Sequence, residues 1–323
     1  MTTDVTPHDR VLVIKLGAFG DLVLADGALQ DIRAHHRDAR ITLLTRKPFA
    51  TLMRDCPWID EVRIDANAPR WRLPAMLAWR RDFLAGGYTH VYDLQNSRRT
   101  AFYRRWLCGD GEARGALRWS ADARDATRSV DVPARHARQL ARAGATATHA
   151  ATPCPQWIAH DASTLLAAAG FDPSGATTPF VLLLPGSSAR NAEKRWPHFA
   201  ALSHALTAAG LGVITVPGPE EADLGAGYAG CVLRDGERAV DLRRLAGIAR
   251  VARCVIGNDS GPLHLASSLG AASLVLLDGR NPSFHAAGER AGLQRLSATP
   301  LSALTLETVA DAARAACALP AIN

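Results

Sequence analysis

The sequence predicts an α/β protein made of two doubly wound domains. Three observations lead there. Short apolar runs bounded by turn residues alternate with helix-length stretches, which marks a parallel sheet with helical crossovers. That alternation stops at a small, polar, proline-containing stretch, "ATATHAATPCPQW" (145–157), and then restarts. Residues of special chemistry gather where strands give way to helices, the place where open α/β sheets meet their ligands.

The elements follow in order. "RVLVIKLG" (10–17) is apolar and closed by glycine, as a buried parallel strand is. "LVLADGALQDIRAHH" reads as a helix and "ARITLLTR" (39–46) as the next strand. "DEVRID" (60–65), "THVYDLQ" (89–95) and "VDVP" (130–133) continue the strand series, with helical stretches between them. Past the break, "DASTLLAAAG" reads as a helix, "FVLLLPGS" (180–187) as a strand and "WPHFAALSHALTAAG" as a helix. "LGVITVPG" is then a strand, "DLRRLAGIARVA" a helix and "RCVIGN" a strand. "PLHLASSLG" is a helix closed by Gly270, and "ASLVLLDG" is a further strand. The tail "LTLETVADAARAACALP" has the spacing of an amphipathic helix. The expected domains are 1–150 and 179–323, the latter including the C-terminal helix, with 151–178 as a linker region. Two such Rossmann-like domains are expected to face each other across a cleft, with ligands at the carboxyl ends of their strands.

Composition narrows the function classes. The chain has 323 residues, 48% hydrophobic and 21% charged, an ordinary globular balance with length for two cores. No apolar run approaches the roughly 20 residues that span a bilayer. The opening "MTTDVTPHDR" lacks the apolar core of a signal peptide, so a cytoplasmic location is expected. The six cysteines are scattered without a C-x-x-C pair, so neither a disulfide framework nor a metal site is expected. Residues 1–150 carry 24 Lys and Arg against 17 Asp and Glu, whereas the remainder carries 13 against 14. Arg70, Arg72, Arg80, Arg81, Arg98, Arg99, Arg104 and Arg105 concentrate this excess. It is either a solvated surface or a face for something acidic: a phosphorylated substrate or an anionic membrane. Nucleic acid is not an expected partner, because aromatics are few and no reader motif is present.

Three strand-to-helix turns carry the candidate chemistry. In "IGNDSGPLHLASSLG" (256–270), Asp259 and Ser260 stand where a helix cap belongs and Pro262 suits the first turn. Gly261 allows close approach to the backbone, the helix start offers free N–H groups, and His264 can add a donor. The stretch serves either as ordinary capping or as an anion site. "KLGAFGDLVLA" (15–25) has Gly17 and Gly20 but no G-x-G-x-x-G, and Asp21 would repel a pyrophosphate. Asp21 is either an N-cap or a carboxylate placed to take a proton from a hydroxyl. In "LPGSSARNAEKRWPHF" (184–199), Ser187 and Ser188 lie in a small-residue loop ahead of Lys194. Lys15, Lys47 and Lys194 are the only lysines, so a lysine at this helix entrance hints at a need for a compact point charge; Lys194 is either a phosphate contact or a surface cation. A two-domain NAD(P)-dependent oxidoreductase would need the glycine fingerprint that the first turn lacks. A two-lobed binding protein without catalysis is also conceivable from the fold class alone; the absent export signal argues against the periplasmic sort.

Taken together, "KLGAFGD", "PGSSARNAEKRWP" and "GNDSGPLHLA" resemble the ADP-heptose:lipopolysaccharide heptosyltransferase family (glycosyltransferase family nine, GT-B fold). "VYDLQNSRRTAFYRRWL" is similar to that family's acceptor-side segment. The resemblance implies inverting transfer of heptose from ADP-heptose to the inner core of lipopolysaccharide, or of another nucleotide sugar to another acceptor. It implies Asp21 as general base and Lys194 on the donor phosphates. Ser187, Ser188, Asp259, Ser260, Gly261 and His264 become donor contacts, and Glu220 or Glu221 the ribose contact. Gly20, Arg98, Arg99, Arg104 and Arg105 fall on the acceptor side. It further implies an ADP-sugar donor with no tightly bound cofactor, an anionic lipopolysaccharide-precursor acceptor, and peripheral contact with the inner membrane face. After "ASLVLL" the chain reads "DGRNPSFHAAG" where the family has a Gly-Pro-Thr-like turn, a departure on the donor side.

Overall fold

The computed structural model describes residues 9–109, 111–122, 131–187, 194–218, 221, 227–280 and 292–318. The chain divides into two compact units, meeting between Pro153 and Cys154. Each is built on a six-stranded sheet.

In the first unit the strands are β1 (Arg10–Ile14), β2 (Arg40–Thr45), β3 (Glu61–Ile64), β4 (His90–Asp93), β5 (Ala113–Arg114) and β6 (Leu117–Ala121). Their order is β3-β2-β1-β4-β6-β5, with β5 antiparallel to β6 and the other pairs parallel. Central β1 is apolar on both faces because helices cover both faces: Val11 to Ile14 are all buried. The helices are α1 (Phe19–Val23), α2 (Asp26–His35), α3 (Lys47–Met53), α4 (Leu73–Ala85), α5 (Arg98–Cys108) and α6 (Val132–Arg142). Leu12, Ile14, Met76, Phe83, Tyr103 and Trp119 share one core. α2 is fastened where the chain leaves this unit. Asp31 accepts the backbone N–H of His149 at 2.9 Å and of Ala150 at 2.8 Å, and His149 Nδ1 lies 2.8 Å away. A Cβ on Gly27 would meet the His149 carbonyl oxygen at 2.0 Å, so only glycine admits this approach.

Two expectations here need correction. "VDVP" is no strand: Asp131 caps α6, accepting the Ala134 N–H at 2.6 Å, and Pro133 sits in the first turn. The sheet takes β6 instead, whose Arg118 and Ser120 interrupt the apolar pattern around buried Trp119. The single helix expected after Asp21 is two, α1 and α2, with a break at Leu24–Ala25.

The second unit contains β7 (Phe180–Leu184), β8 (Gly212–Thr215), β9 (Cys231–Val232), β10 (Cys254–Asn258), β11 (Ser273–Asp278) and β12 (Leu293–Ala298). All its strand pairs are parallel, in the order β12-β11-β10-β7-β8-β9. Counted from the first strand of the unit this is 3-2-1-4-5-6, the Rossmann order. α7 (Ser163–Ala168), α8 (Phe199–Ala208), α9 (Leu242–Val251), α10 (Gly261–Ser268) and α11 (Leu306–Ala318) complete it. One face packs Leu182, Leu245, Ile248 and Leu263, and the other Leu183, Phe199, Leu202 and Val309. Within 151–178, where the sequence predicts a helix, Ala162 and Leu166 join the first of these cores. In both sheets strand order reverses at one place, between β1 and β4 and between β7 and β10. Those are the topological switch points where a ligand finds a crevice at the carboxyl ends of the strands.

Candidate functional site

At the second unit's switch point, β7 ends in Pro185–Gly186–Ser187 and β10 in Asn258–Asp259–Ser260. Buried Asn258 staples these turns. Its Nδ2 donates to the Pro185 carbonyl at 2.6 Å, and its Oδ1 accepts the Trp196 N–H at 3.0 Å. That holds the approach to α8 against the sheet and places Lys194 over Asp259. Lys194 Nζ donates to Asp259 Oδ2 at 2.9 Å, and His264 Nε2 lies 3.1 Å from Asp259 Oδ1. Burial pushes the Asp259 carboxyl up, but the hydrogen bond and charge of His264, together with Lys194, hold it below its ordinary value. Asp259 therefore ties the Lys194 ammonium and the His264 imidazole together, while Ser260 holds the N-cap position.

α10 starts beside this cluster. Ser260 occupies the N-cap in an extended conformation, yet its side chain makes no cap bond, and its Oγ is buried without a hydrogen-bond partner among the described residues. Gly261 and Pro262 form the first turn, so the local dipole and N–H groups favour an anion. Glu221 is also buried, and its carboxylate is engaged. It accepts the N–H of Ser187 at 3.1 Å and of Gly218 at 2.9 Å, and pairs with Arg195 at 3.1 Å. Arg195 also donates to the Ser187 carbonyl at 2.9 Å. A Cβ on Gly186 would come within 2.3 Å of Glu221 Oε2, so any larger residue there would push the Glu221 carboxylate from this position. Glu221 thus ties the β7 and β8 turns together. Ser188 and Glu220 lie outside the described residues.

At the first unit's switch point, Asp21 is half-buried in the first turn of α1, with Ala18 as N-cap. It is not the N-cap. Gly20 is buried beside it. Beneath the turn lies Lys15, only 3% exposed, whose Nζ donates to the Leu94 carbonyl at 3.1 Å. Burial lowers the Lys15 pKa; Asp21 and Asp93 oppose that shift, and Arg135 adds to it. Asp93, at the end of β4, accepts the backbone N–H groups of Gln95 at 3.1 Å and Asn96 at 2.9 Å. Burial still pushes its carboxyl up to about 6 against those bonds, the Thr100 hydroxyl and the Lys15 charge. Gln95 in turn accepts the Leu16 N–H at 2.8 Å. The turn bearing Asp21 therefore sits on a buried, charged floor.

The expected acceptor arginines differ among themselves. Arg99 faces inward, pairing with Asp65 at 3.1 Å and donating to the Ala68 carbonyl at 3.1 Å. Its charge is already answered, so it holds a loop instead of meeting an anion. Arg98 and Arg105 are exposed. Arg104 lies 3.9 Å from Glu112 and lines a cavity of about 670 Å³ with Asp93, Asn96, Ser97 and Arg118. Asn258, Arg195 and Lys15 were not singled out from sequence. Lys15 carried one signal, being one of three lysines in an arginine-rich chain.

The family model for glycosyltransferase family 9 (heptosyltransferase) matches residues 76–300. No curated protein matches the chain. Among solved structures, a family 9 glycosyl transferase from Veillonella parvula superposes with a TM-score of 0.74 at 20% identity, covering 97% of this chain and 98% of that one. The E. coli ADP-heptose lps heptosyltransferase II gives 0.63 at 19% identity, covering 95% and 98%. E. coli heptosyltransferase WaaC with ADP gives 0.64 at 18% identity, covering 95% and 97%.

Proposed function

Because the chain belongs to glycosyltransferase family 9, the heptosyltransferases, and has the two α/β domains of those structures, we propose that it moves heptose from ADP-heptose to a hydroxyl of the lipopolysaccharide inner core. The reading is carried by one observation: Lys194 and His264 gathered on Asp259, at the start of α10 and at a topological switch point. Such a cluster suits a diphosphate. The Lys194 ammonium, the His264 imidazole as a donor and the first-turn N–H groups meet its charge, and Asp259 fixes the ammonium before the donor arrives. Heptosyltransferase structures from E. coli with ADP and with ADP-2-deoxy-2-fluoro heptose support an ADP-sugar as donor.

In this reading the acceptor oxygen attacks the anomeric carbon from the face opposite ADP. The new carbon–oxygen bond forms as the carbon–phosphate-oxygen bond breaks, and its electron pair leaves on the diphosphate. Asp21 takes the hydroxyl proton. Lys194, His264 and the α10 N–H groups stabilise the departing charge. Ser187 and Ser260 complete the donor contacts. Gly20, Arg98, Arg104 and Arg105 lie on the side assigned to an anionic, lipid-linked acceptor, and a position at the inner membrane face follows from that acceptor. Among the described residues no helix is long and apolar enough to cross a membrane.

The test is direct. Incubation with a panel of nucleotide sugars and a Kdo-lipid A acceptor should yield a heptosylated product by mass. Asp21→Asn should lower the rate by roughly 10²–10⁴-fold while ADP binding persists. Transfer at the wild-type rate by that variant removes Asp21 from the chemistry; product only from another nucleotide sugar reassigns the donor.

A further inference from the structure

α4 and the residues leading into it expose far more apolar surface than a buried helix should. Trp71 is 78% exposed, Leu73 67%, Leu77 59% and Leu84 51%. At 3.6 residues per turn, Leu73, Leu77, Arg80 and Leu84 fall within about 60° of one another on α4. Met76, Trp79 and Phe83 form a second stripe roughly a quarter-turn away. That second stripe packs into the core, where Trp79 stacks on Tyr103 with ring centroids 3.9 Å apart, while Arg80 of the outward stripe reaches over the Trp106 ring, 6.0 Å from its centroid. The helix is thus apolar over a wider arc than its packing uses, and its inward side is locked.

The exposure is built in, not a frayed end. Arg99 straps the loop before Trp71 to α5 through Asp65 and the Ala68 carbonyl. Arg70 donates to the Arg98 carbonyl at 3.1 Å and lies 5.1 Å from the Phe102 ring centroid. Between these anchors Trp71 is presented outward. The rim is cationic on balance: Arg70 and Arg72 are exposed, as is Arg98 on the neighbouring helix, while exposed Arg81 is paired with Asp82 at 3.2 Å. An apolar stripe with a tryptophan at its edge and arginines around it matches the interface of an anionic bilayer, where apolar side chains enter the acyl boundary and guanidinium groups stay with the headgroups.

We propose that the outward stripe of α4, with Trp71 at its head, docks this protein on the surface of a bilayer rich in anionic phospholipid. The helix lies along the surface. The purpose of such docking rests on the lipid-acceptor reading above; the surface itself rests on the exposed residues alone. Cosedimentation with vesicles of phosphatidylglycerol and phosphatidylethanolamine tests it, against vesicles of phosphatidylcholine alone. The wild-type chain should bind the anionic vesicles, with binding weakened at high salt. Trp71→Ser/Leu73→Ser/Leu77→Ser should reduce partition by at least about tenfold. Arg72→Gln should weaken it by about fivefold. Trp71→Phe should retain most of it, and an unchanged melting temperature establishes that the variants fold.

Wild-type binding by the triple-serine variant, or no vesicle binding by the wild-type chain, overturns the proposal. So does light scattering that shows a wild-type dimer turned monomer by the triple substitution with vesicle binding unaltered, which makes the stripe a contact between copies. Transfer to a Kdo acceptor without acyl chains separates this from the functional reading. The serine variant should keep that activity and lose transfer to vesicle-borne acceptor. Absence of transfer to either acceptor, with vesicle binding intact, overturns the functional reading alone.

Discussion

Replacing Lys194 with Met removes the ammonium and keeps most of the aliphatic stem. The pair it breaks is largely out of water: the Lys194 side chain is 19% exposed and that of Asp259 7%. Stripping one partner from a fully buried pair costs about 3–5 kcal/mol. Asp259 keeps His264 at 3.1 Å, so the expected loss is smaller, about 2 kcal/mol. A double-mutant cycle with Asp259→Asn, measured by urea unfolding, should return a coupling of about 1–2 kcal/mol. The acid side gives an independent reading. Asp259 has a folded-state pKa below its ordinary value, so its contribution is present above the ordinary carboxylate value of about 4. It is lost as pH falls through the folded value. Lys194→Met should shrink that acid loss.

The same variant tests function. A lost charge-assisted bond to phosphate should raise the ADP Kd by roughly tenfold to a hundredfold, measured by calorimetry. Lost stability with an unchanged ADP Kd would refute the phosphate role and leave Lys194 as Asp259's structural partner. A cycle with no coupling would refute the pair itself.

Two further outcomes are expected in the first unit. Asp93 has a folded-state pKa raised to about 6, so stability is lost as pH climbs from about 4 to about 6, a drop of about 3 kcal/mol. Asp93→Asn keeps an acceptor for Gln95 and Asn96 and should flatten that slope in urea titrations at several pH values; an unchanged slope refutes the assignment. Asp31→Ala strands the N–H groups of His149 and Ala150 and should cost about 3 kcal/mol in equilibrium unfolding. A loss within experimental error would mean that the exit segment finds other partners.

What was legible in the sequence follows from what is local. β1, β7, β10 and β11 are covered on both faces, so each reads as a continuous apolar run. β9 has two residues, and β12 lies at a sheet edge with no fully buried residue and with Gln294 and Ser297 exposed, so neither gives a run to read. The special residues at the turns were visible because Pro, Gly, Asp and a rare lysine stand out by type. Their pairing was not. Lys194 meets Asp259 across 65 residues, Lys15 meets Leu94 across 79, and Arg99 meets Asp65 across 34. No window of sequence contains such a pair. Arg99 shows the consequence: beside Arg98 it reads as surface charge, and the fold turns it inward.

The basic excess of the first half therefore has two destinations. Part of it is consumed within the unit, where Arg33 meets Asp60, Arg63 meets Glu61, Arg99 meets Asp65 and Arg138 meets Asp122. The rest includes exposed Arg70, Arg72 and Arg98, which border the outward stripe of α4. The second unit carries no comparable excess, and its cations at the switch point are held singly by carboxylates: Lys194 by Asp259 and Arg195 by Glu221. A cation already paired can meet an arriving diphosphate only by sharing or exchanging its partner. Asp259 thus lowers the affinity of the empty site for anions while keeping the ammonium in place, and it competes for that ammonium when ADP must leave. In the proposed reaction this favours turnover over tight donor binding, because an interaction matched equally to bound donor and transition state would not lower the barrier between them.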